Sequence, residues 1–462
     1  MTDSANMVGR ILRGNGLFAR ALRGSAWAGS GHIVSQVIRL ASNLILTRLL
    51  YPEAFGLMSL VTVLMIGVTM LSDVGIGVSV SQNKRGDEPE FLDTAWTIQV
   101  LRGGLLWVLL CAVAWPLSLV YSEPTLVYFL PVAGISVLIA GFNPIRLETA
   151  GRHLLLGRVT VLDLASQVIG ILLTILLAWL TGSVWALVLG QVAGAAVKLV
   201  LAYVMIPGEP SRFYLEPAAA QEIVRFGKWI IPSTAFGFML GQGDRVILGV
   251  YLTLEMLGVY NIGQFLAAAP LLLFGAITGR VFIPVYREFA DSGGAASARK
   301  LRLLRFALTG AIMTMVVVIA FIGAPLVWFL YDERYADAAV IVILVAVCSL
   351  PQVIGMTYDR SALAAGDSRS FFLVIAFRGI LQVGAFIIGA EMAGIVGALV
   401  AQGVASIIGH FSLIWLARKH HVWDLQHDLL FALLAAIFGA LAIYSNWDLV
   451  HSFAISQAAI AR

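Results

Sequence analysis

Thirteen apolar stretches, each about long enough to cross a bilayer, succeed one another along the chain. They lie near residues 26–47, 55–78, 94–118, 126–144, 160–180, 185–205, 229–250, 257–279, 306–329, 338–357, 371–390, 395–416 and 428–446. About twenty residues of helix cross a hydrocarbon core. Backbone polar groups there find no water, so continuous apolar runs of this length predict helices. Hydrophobic residues make up 60% of the 462, charged residues 12%, and mean hydropathy is +0.92. A soluble domain carries roughly twice that charge. The expected fold is an all-α, polytopic membrane helical bundle of about 12–14 transmembrane helices. The tail after Trp447 is too short and polar to add a clear fourteenth.

Basic residues then orient the chain. With the N-terminus inside, twenty-two of the 30 Lys and Arg fall in inside segments, three (Arg48, Arg334, Arg462) outside, and five within spans. This is the positive-inside bias, so the surplus charge reports topology and not nucleic-acid binding. Outside loops such as 121–124 and 182–183 leave no room for an external domain, whereas the longer loops 207–228 and 280–305 are cytoplasmic. Cys111 and Cys348 both fall in apolar stretches and predict buried thiols with no disulfide. Residues 8–22 place Val8, Ile11, Leu12, Phe18 and Leu22 near one face among Arg10, Arg13 and Arg20, as an amphipathic surface helix does. His420, His421 and His427 sit beside Arg418 and Lys419 and read as a solvated interfacial loop more than as metal ligands.

The chain also reads as a repeat. Trp27 and Trp229 both open a span, and Glu53-Ala-Phe-Gly56 has a counterpart in Glu255-Met-Leu-Gly258 at the same offset. Tyr121-Ser-Glu123 answers Tyr331-Asp-Glu333, and Ala150-Gly151 with Gln167 answers Ala365-Gly366 with Gln382. Six spans per half keep both halves in the same orientation, which predicts two pseudo-symmetric six-helix lobes around a central cavity. The expected organisation is 1–25 amphipathic and cytoplasmic, 26–206 the first lobe, 207–228 a cytoplasmic linker, 229–417 the second lobe, and 428–462 an extra span and tail.

Four arginines and a lysine lie inside the spans: Arg39, Arg102, Arg245, Arg378 and Lys198. A cation at the bilayer centre costs on the order of 2.5–3.5 kcal/mol even on lenient scales, so such residues face a partner or a wet cavity. Arg39 is deep in the first span and Arg245 lies within about a turn of the equivalent depth in the seventh, its repeat mate. Each is either half of a structural ion pair or a cavity cation for an anionic group. Arg102, Arg378 and Lys198 lie closer to the cytoplasmic ends, where snorkelling is the plainer reading. Asp244, Asp163 and Asp73 are candidates for charge compensation or ion coupling. No phosphate-cradling GxxxxGK[ST], HExxH or GxSxG pattern occurs. No cofactor is expected.

TRLLYPEAFGLMSLV followed by LSDVGIGVSVSQ, GQGDRVILGVYLTLEMLGVYNIGQ at the start of the second half, and LETAGRHLLLGRVTVLDL after the fourth span resemble the polysaccharide-transport, Wzx-type oligosaccharide flippases. These belong to the multidrug/oligosaccharidyl-lipid/polysaccharide exporter superfamily. The resemblance covers roughly residues 20–420 and implies a transporter, not an enzyme, in a bacterial inner membrane. Its cargo would be oligosaccharide on undecaprenyl diphosphate, moved outward by alternating access for surface polysaccharide synthesis. Membrane lipids, a polysaccharide polymerase and a co-polymerase are the implied partners. A diphosphate calls for forked cationic donors, which arginine supplies. One alternative is a cation-coupled multidrug exporter of the same superfamily, which calls for an acidic cavity. The other is an integral-membrane glycosyltransferase or ligase, which calls for a sizeable outside loop.

Overall fold

The computed structural model describes residues 17–72, 75–152, 156–292 and 294–460. Among them the chain is helical, with no strand. The first half holds α1 (Leu17–Leu49), α2 (Pro52–Leu71), α3 (Ile76–Gln82), α4 (Pro89–Val120), α5 (Leu126–Gly141), α6 (Arg146–Arg152), α7 (Leu156–Thr181) and α8 (Trp185–Met205). The second holds α9 (Pro217–Tyr251), α10 (Leu254–Ser292), α11 (Ala295–Leu330), α12 (Ala338–Gly355), α13 (Asp359–Ala364), α14 (Ser368–Lys419), α15 (Leu425–Ser445) and α16 (Trp447–Ile460). Nine helical stretches among the described residues are long and apolar enough to cross a membrane. The protein is a multi-pass membrane protein.

One of the nine is really two. At about 1.5 Å per residue, α14 would be far longer than a bilayer if straight, but its backbone breaks at Ala393 and Gly394. Gly394 has φ +56°, a conformation that costs a side chain little only when there is none. The chain folds back there: Lys419 at one end lies 2.7 Å from Asp367 at the other, and Gly389 meets Gly397 face to face. Lys419 holds the Asp367 carboxyl well below the usual carboxylate range. The expected pair of spans at 371–390 and 395–416 is therefore a hairpin.

Three further apolar segments coincide with helices outside the nine. α5 is short. α1 and α9 are long, but they carry Ser35, Gln36, Arg39 and Asn43, and Gln242, Asp244 and Arg245. The two repeat mates are thus the polar helices of the set. A polar face inside a bilayer is tolerated where it lines protein or water.

The structure departs from the sequence reading at four places. The segment expected over 55–78 ends at Leu71, and the chain restarts as α3. The amphipathic helix expected over 8–22 lies outside the described residues up to 16, and from Leu17 the chain is already in α1. Only 207–216 of the expected linker is non-helical, because α9 begins at Pro217, a residue suited to a first helical turn. The tail forms α16, 14 residues and about 21 Å long, short of a hydrocarbon core of about 30 Å.

The chain divides into two compact units, one of residues 1–50 and 64–234, the other of 51–63 and 235–462. In the first, α1 packs on α7, α7 on α8, α8 on α5 and α5 on α4. Gly31 meets Thr160 and Ser35 donates to Gln167 at 2.7 Å, so α1 and α7 run parallel. In the second, α12 is the centre, with α10, α11, α14 and α15 around it. Its residues 338–346 are all buried, as befits a helix that is apolar all round. In the same unit the repeated Glu-x-x-Gly segments meet. A side chain at Gly56 would overlap the Leu254 carbonyl, and one at Gly258 would overlap the Pro52 carbonyl. The two glycines let the starts of α2 and α10 touch reciprocally. Phe55 and Tyr335 add an edge-to-face ring contact beside them.

Candidate functional site: the intramembrane charges

A cavity of about 560 Å³ in the first unit collects three of the eight predicted residues, Arg102, Lys198 and Asp163. Helices α4, α5, α7 and α8 form its walls, and Gln99, Asn143, Thr69 and Glu148 add polar groups. The apolar faces of α4 and α5 meet closely because Gly103 stands opposite Gly141. That leaves Gln99 to donate to the carbonyls of Gly141 at 2.9 Å and Asn143 at 3.0 Å. With two cations and two acids, the lining is balanced and not cationic throughout.

The two cations are held differently. Arg102 turns its guanidinium onto the end of α2, donating from Nε to Ser72 O at 2.9 Å and from Nη2 to Thr69 O at 2.6 Å. Carbonyls in a last helical turn have no partner within their helix, so Arg102 caps α2. Lys198 sits 2.9 Å from Asp163, and both side chains are nearly half exposed. An ion pair this open is worth about 0–1 kcal/mol and yields readily to a competing anion.

Arg39 lies apart from this cavity. It follows Ser35 by one turn on α1 and is exposed. Ser35 is level with Gln167, so Arg39 lies on the order of 10 Å further along the bundle than Asp163. Asp73 lies outside the described residues.

The remaining predicted residues lie in the second unit. Asp244 is buried and accepts from the Tyr260 hydroxyl of α10 at 2.6 Å, while Arg245 bonds Gln242 at 2.6 Å, one turn back on α9. Adjacent residues on a helix point about 100° apart, so the two do not pair with each other. Arg378 lies 3.9 Å from Asp359, at the limit of an ion pair.

Sequence reasoning missed a second polar centre in this unit. His427 does not sit in a solvated loop: it is fully buried in the first turn of α15. Asp424 caps that helix by accepting from the His427 backbone N–H at 3.1 Å, and this starts α15 early enough to turn His427 inward. Its Nδ1 lies 3.0 Å from Asp428 and its Nε2 3.0 Å from the Thr309 hydroxyl. Arg305, 2% exposed, donates to Tyr286 and to the Val422 carbonyl. The Asp-x-x-His-Asp spacing from 424 to 428 was the available signal. His421 is exposed, and His420 lies 3.4 Å from Asp367. No group of three potential metal ligands occurs among the described residues. Cys111 and Cys348 are free and only partly buried.

A family model described as "Polysaccharide biosynthesis protein" matches residues 45–340. The lipopolysaccharide biosynthesis protein WzxC of Escherichia coli (strain K12) is 20% identical over 411 residues, which cover 86% of this chain and 81% of that protein. The succinoglycan biosynthesis transport protein ExoT of Rhizobium meliloti (strain 1021) is 20% identical over 376 residues, covering 81% and 75%. Among solved structures, the lipid II flippase MurJ in an inward closed conformation has a TM-score of 0.67 at 13% identity, covering 93% of this chain and 96% of that one. An inward-facing multidrug resistance MATE family transporter of the MOP superfamily scores 0.63 at 15% identity, covering 84% and 94%. At these identities the structural likeness is one of fold.

Proposed function

The chain belongs to the polysaccharide biosynthesis protein family, and from that premise we propose that it is a flippase for saccharide units carried on undecaprenyl diphosphate. The family match, spanning residues 45–340, carries this reading. The fold shared with a lipid II flippase over 93% of the chain supports it. In this reading the protein is a transporter of a bacterial inner membrane with its N-terminus in the cytoplasm. The two compact units act as lobes that alternate access, and a polymerase and co-polymerase use the delivered units.

The site chemistry follows from the charges. The diphosphate needs cations that can give up their present partners. Lys198 qualifies, because its bond to Asp163 is half-exposed at the cavity wall. Arg102 presents charge to the same cavity while capping α2. At about 560 Å³ the cavity is within the range that holds a small ligand group. Arg39 and Arg245, on the two polar repeat mates α1 and α9, serve as later stations for the head group. Asp163 holds that cavity neutral between cargoes, and Asp244 compensates charge within the second unit. The lipid tail stays in the hydrocarbon while the sugars cross on the polar side.

Depleting the protein in its host tests the proposal. Surface polysaccharide should fall while lipid-linked saccharide accumulates on the cytoplasmic leaflet. Unchanged polymer with no accumulation would sink it. Sensitisation to cationic drugs in its place would favour an exporter of that class.

A further inference from the structure

The buried polar centre of the second unit plays no part in the cargo site. Its hub is the Asp428 carboxylate, 7% exposed. Tyr358 donates to it at 2.7 Å and Trp423 Nε1 at 2.9 Å. Two imidazoles face it as well, His427 through Nδ1 at 3.0 Å and His410 through Nε2 at 3.3 Å. A carboxylate removed from water needs such donors or a cation.

The two imidazoles are not equivalent. His427 has a carboxylate on one nitrogen and a hydroxyl on the other. A neutral ring donating to Asp428 and accepting from Thr309 satisfies both. His410 has only the long contact to Asp428, and its Nδ1 is buried with no protein partner. Its neutral ring is held by that one long bond from Nε2 alone, and a carboxylate stands ready for its charged form. Imidazole is the side chain whose charge changes near neutral pH.

Further charged and titratable groups surround this centre. Arg305 stacks over the Tyr358 ring at 4.5 Å and is bonded to Tyr286 of α10. Asp359 follows Tyr358 and faces Arg378, whose side chain packs on Gly409, next to His410. Arg360 lies beside Asp359 on α13, and Asp424 with its partner Arg302 borders the entrance. A cavity of about 490 Å³, lined by Arg302, Arg305, Trp423 and Asp424, reaches the centre. Trp423 both lines it and donates to Asp428, so one side chain separates this cavity from the carboxylate.

We propose that His410 and Asp428 form a proton-binding site that couples cargo movement to a proton gradient; the coupling clause rests on the flippase reading. One proton binds at the His410 Nδ1 lone pair. The imidazolium then faces Asp428 through Nε2–H, and a long neutral contact becomes an ion pair. His410 lies on the second arm of α14 and Asp428 on α15, so the proton draws these elements together and its departure frees them. Tyr358, stacked under the Arg305 guanidinium, holds the other carboxylate oxygen.

Histidine NMR on [13Cε1]-His protein in lipid nanodiscs tests the proton site without cargo. The signal lost in His410→Gln identifies the residue. Its chemical shift should respond to buffer pH, and the Asp428→Asn variant should change that response. The His427 signal should stay flat. In proteoliposomes, an imposed pH gradient should speed wild-type flipping several-fold. His410→Gln should flip at the symmetric-pH rate whatever the gradient, while His427→Gln should keep the response. A His410 signal indifferent to pH overturns the site, and so does a gradient response intact in His410→Gln. Wild type that titrates but ignores the gradient overturns the coupling. If wild type moves no cargo at all, the flippase reading fails, and the NMR titration still decides whether the proton site exists.

Discussion

Arg102 and Lys198 share a cavity and yet answer to different physics. Arg102 satisfies carbonyls at the end of α2. Replacing it with Ala removes these part-buried bonds, at about 0.5–1.5 kcal/mol each. The variant should melt at a lower temperature in detergent, with faster amide exchange confined to the end of α2. Lys198→Gln removes half of an open ion pair, so its stability should change by no more than about 1 kcal/mol while flipping falls. Equal losses of stability in the two variants would contradict this division. The cations themselves were legible in the sequence, because charge inside a twenty-residue apolar run stands out. Their partners were not. Arg102 bonds backbone oxygens 30 and 33 residues away, and a carbonyl leaves no trace in side-chain identity. Asp244 accepts from Tyr260, an aromatic that reads as ordinary span filler and gave no sign of this bond.

At the scale of elements, the hidden features are those that depend on close approach. The repeat at Glu53–Gly56 and Glu255–Gly258 could be read from sequence, but not that the two copies touch. A side chain at Gly56 or Gly258 collides with backbone, which no rotamer change relieves. Gly56→Val and Gly258→Val should each destabilise by about 1–3 kcal/mol, measurable as a lower melting temperature, whereas Gly104→Val, which meets nothing, should not. The α14 hairpin was legible as two spans because Glu391 and Gly394 interrupt the apolar run. The bond closing its ends carries a pH signature. Asp367 is depressed by Lys419, so its stabilisation is fully present above the ordinary carboxylate range near pH 4 and is lost as pH falls below it. Lys419→Met should therefore lower the melting temperature at pH 7, with a difference from wild type that shrinks steadily from pH 4 downward. A difference that grows in acid would have the wrong sign.

For the whole molecule, composition and the succession of apolar stretches sufficed for a multi-pass helical protein. The division into two units follows the repeat approximately, but residues 51–63 group with the second half. Hydropathy is blind to that assignment, since it reports what a helix dissolves in and not which neighbour it touches. The central claim is that the intramembrane cations carry a lipid diphosphate across. Flipping of a fluorescent undecaprenyl-diphosphate saccharide in proteoliposomes tests it most directly, comparing wild type with Arg39→Gln, Lys198→Gln and Arg245→Gln, each first confirmed as folded and inserted. Wild type should move the lipid, and each variant should slow it by tenfold or more, about 1.4 kcal/mol in the barrier. Normal flipping by all three variants would contradict the claim and leave those cations as structural groups.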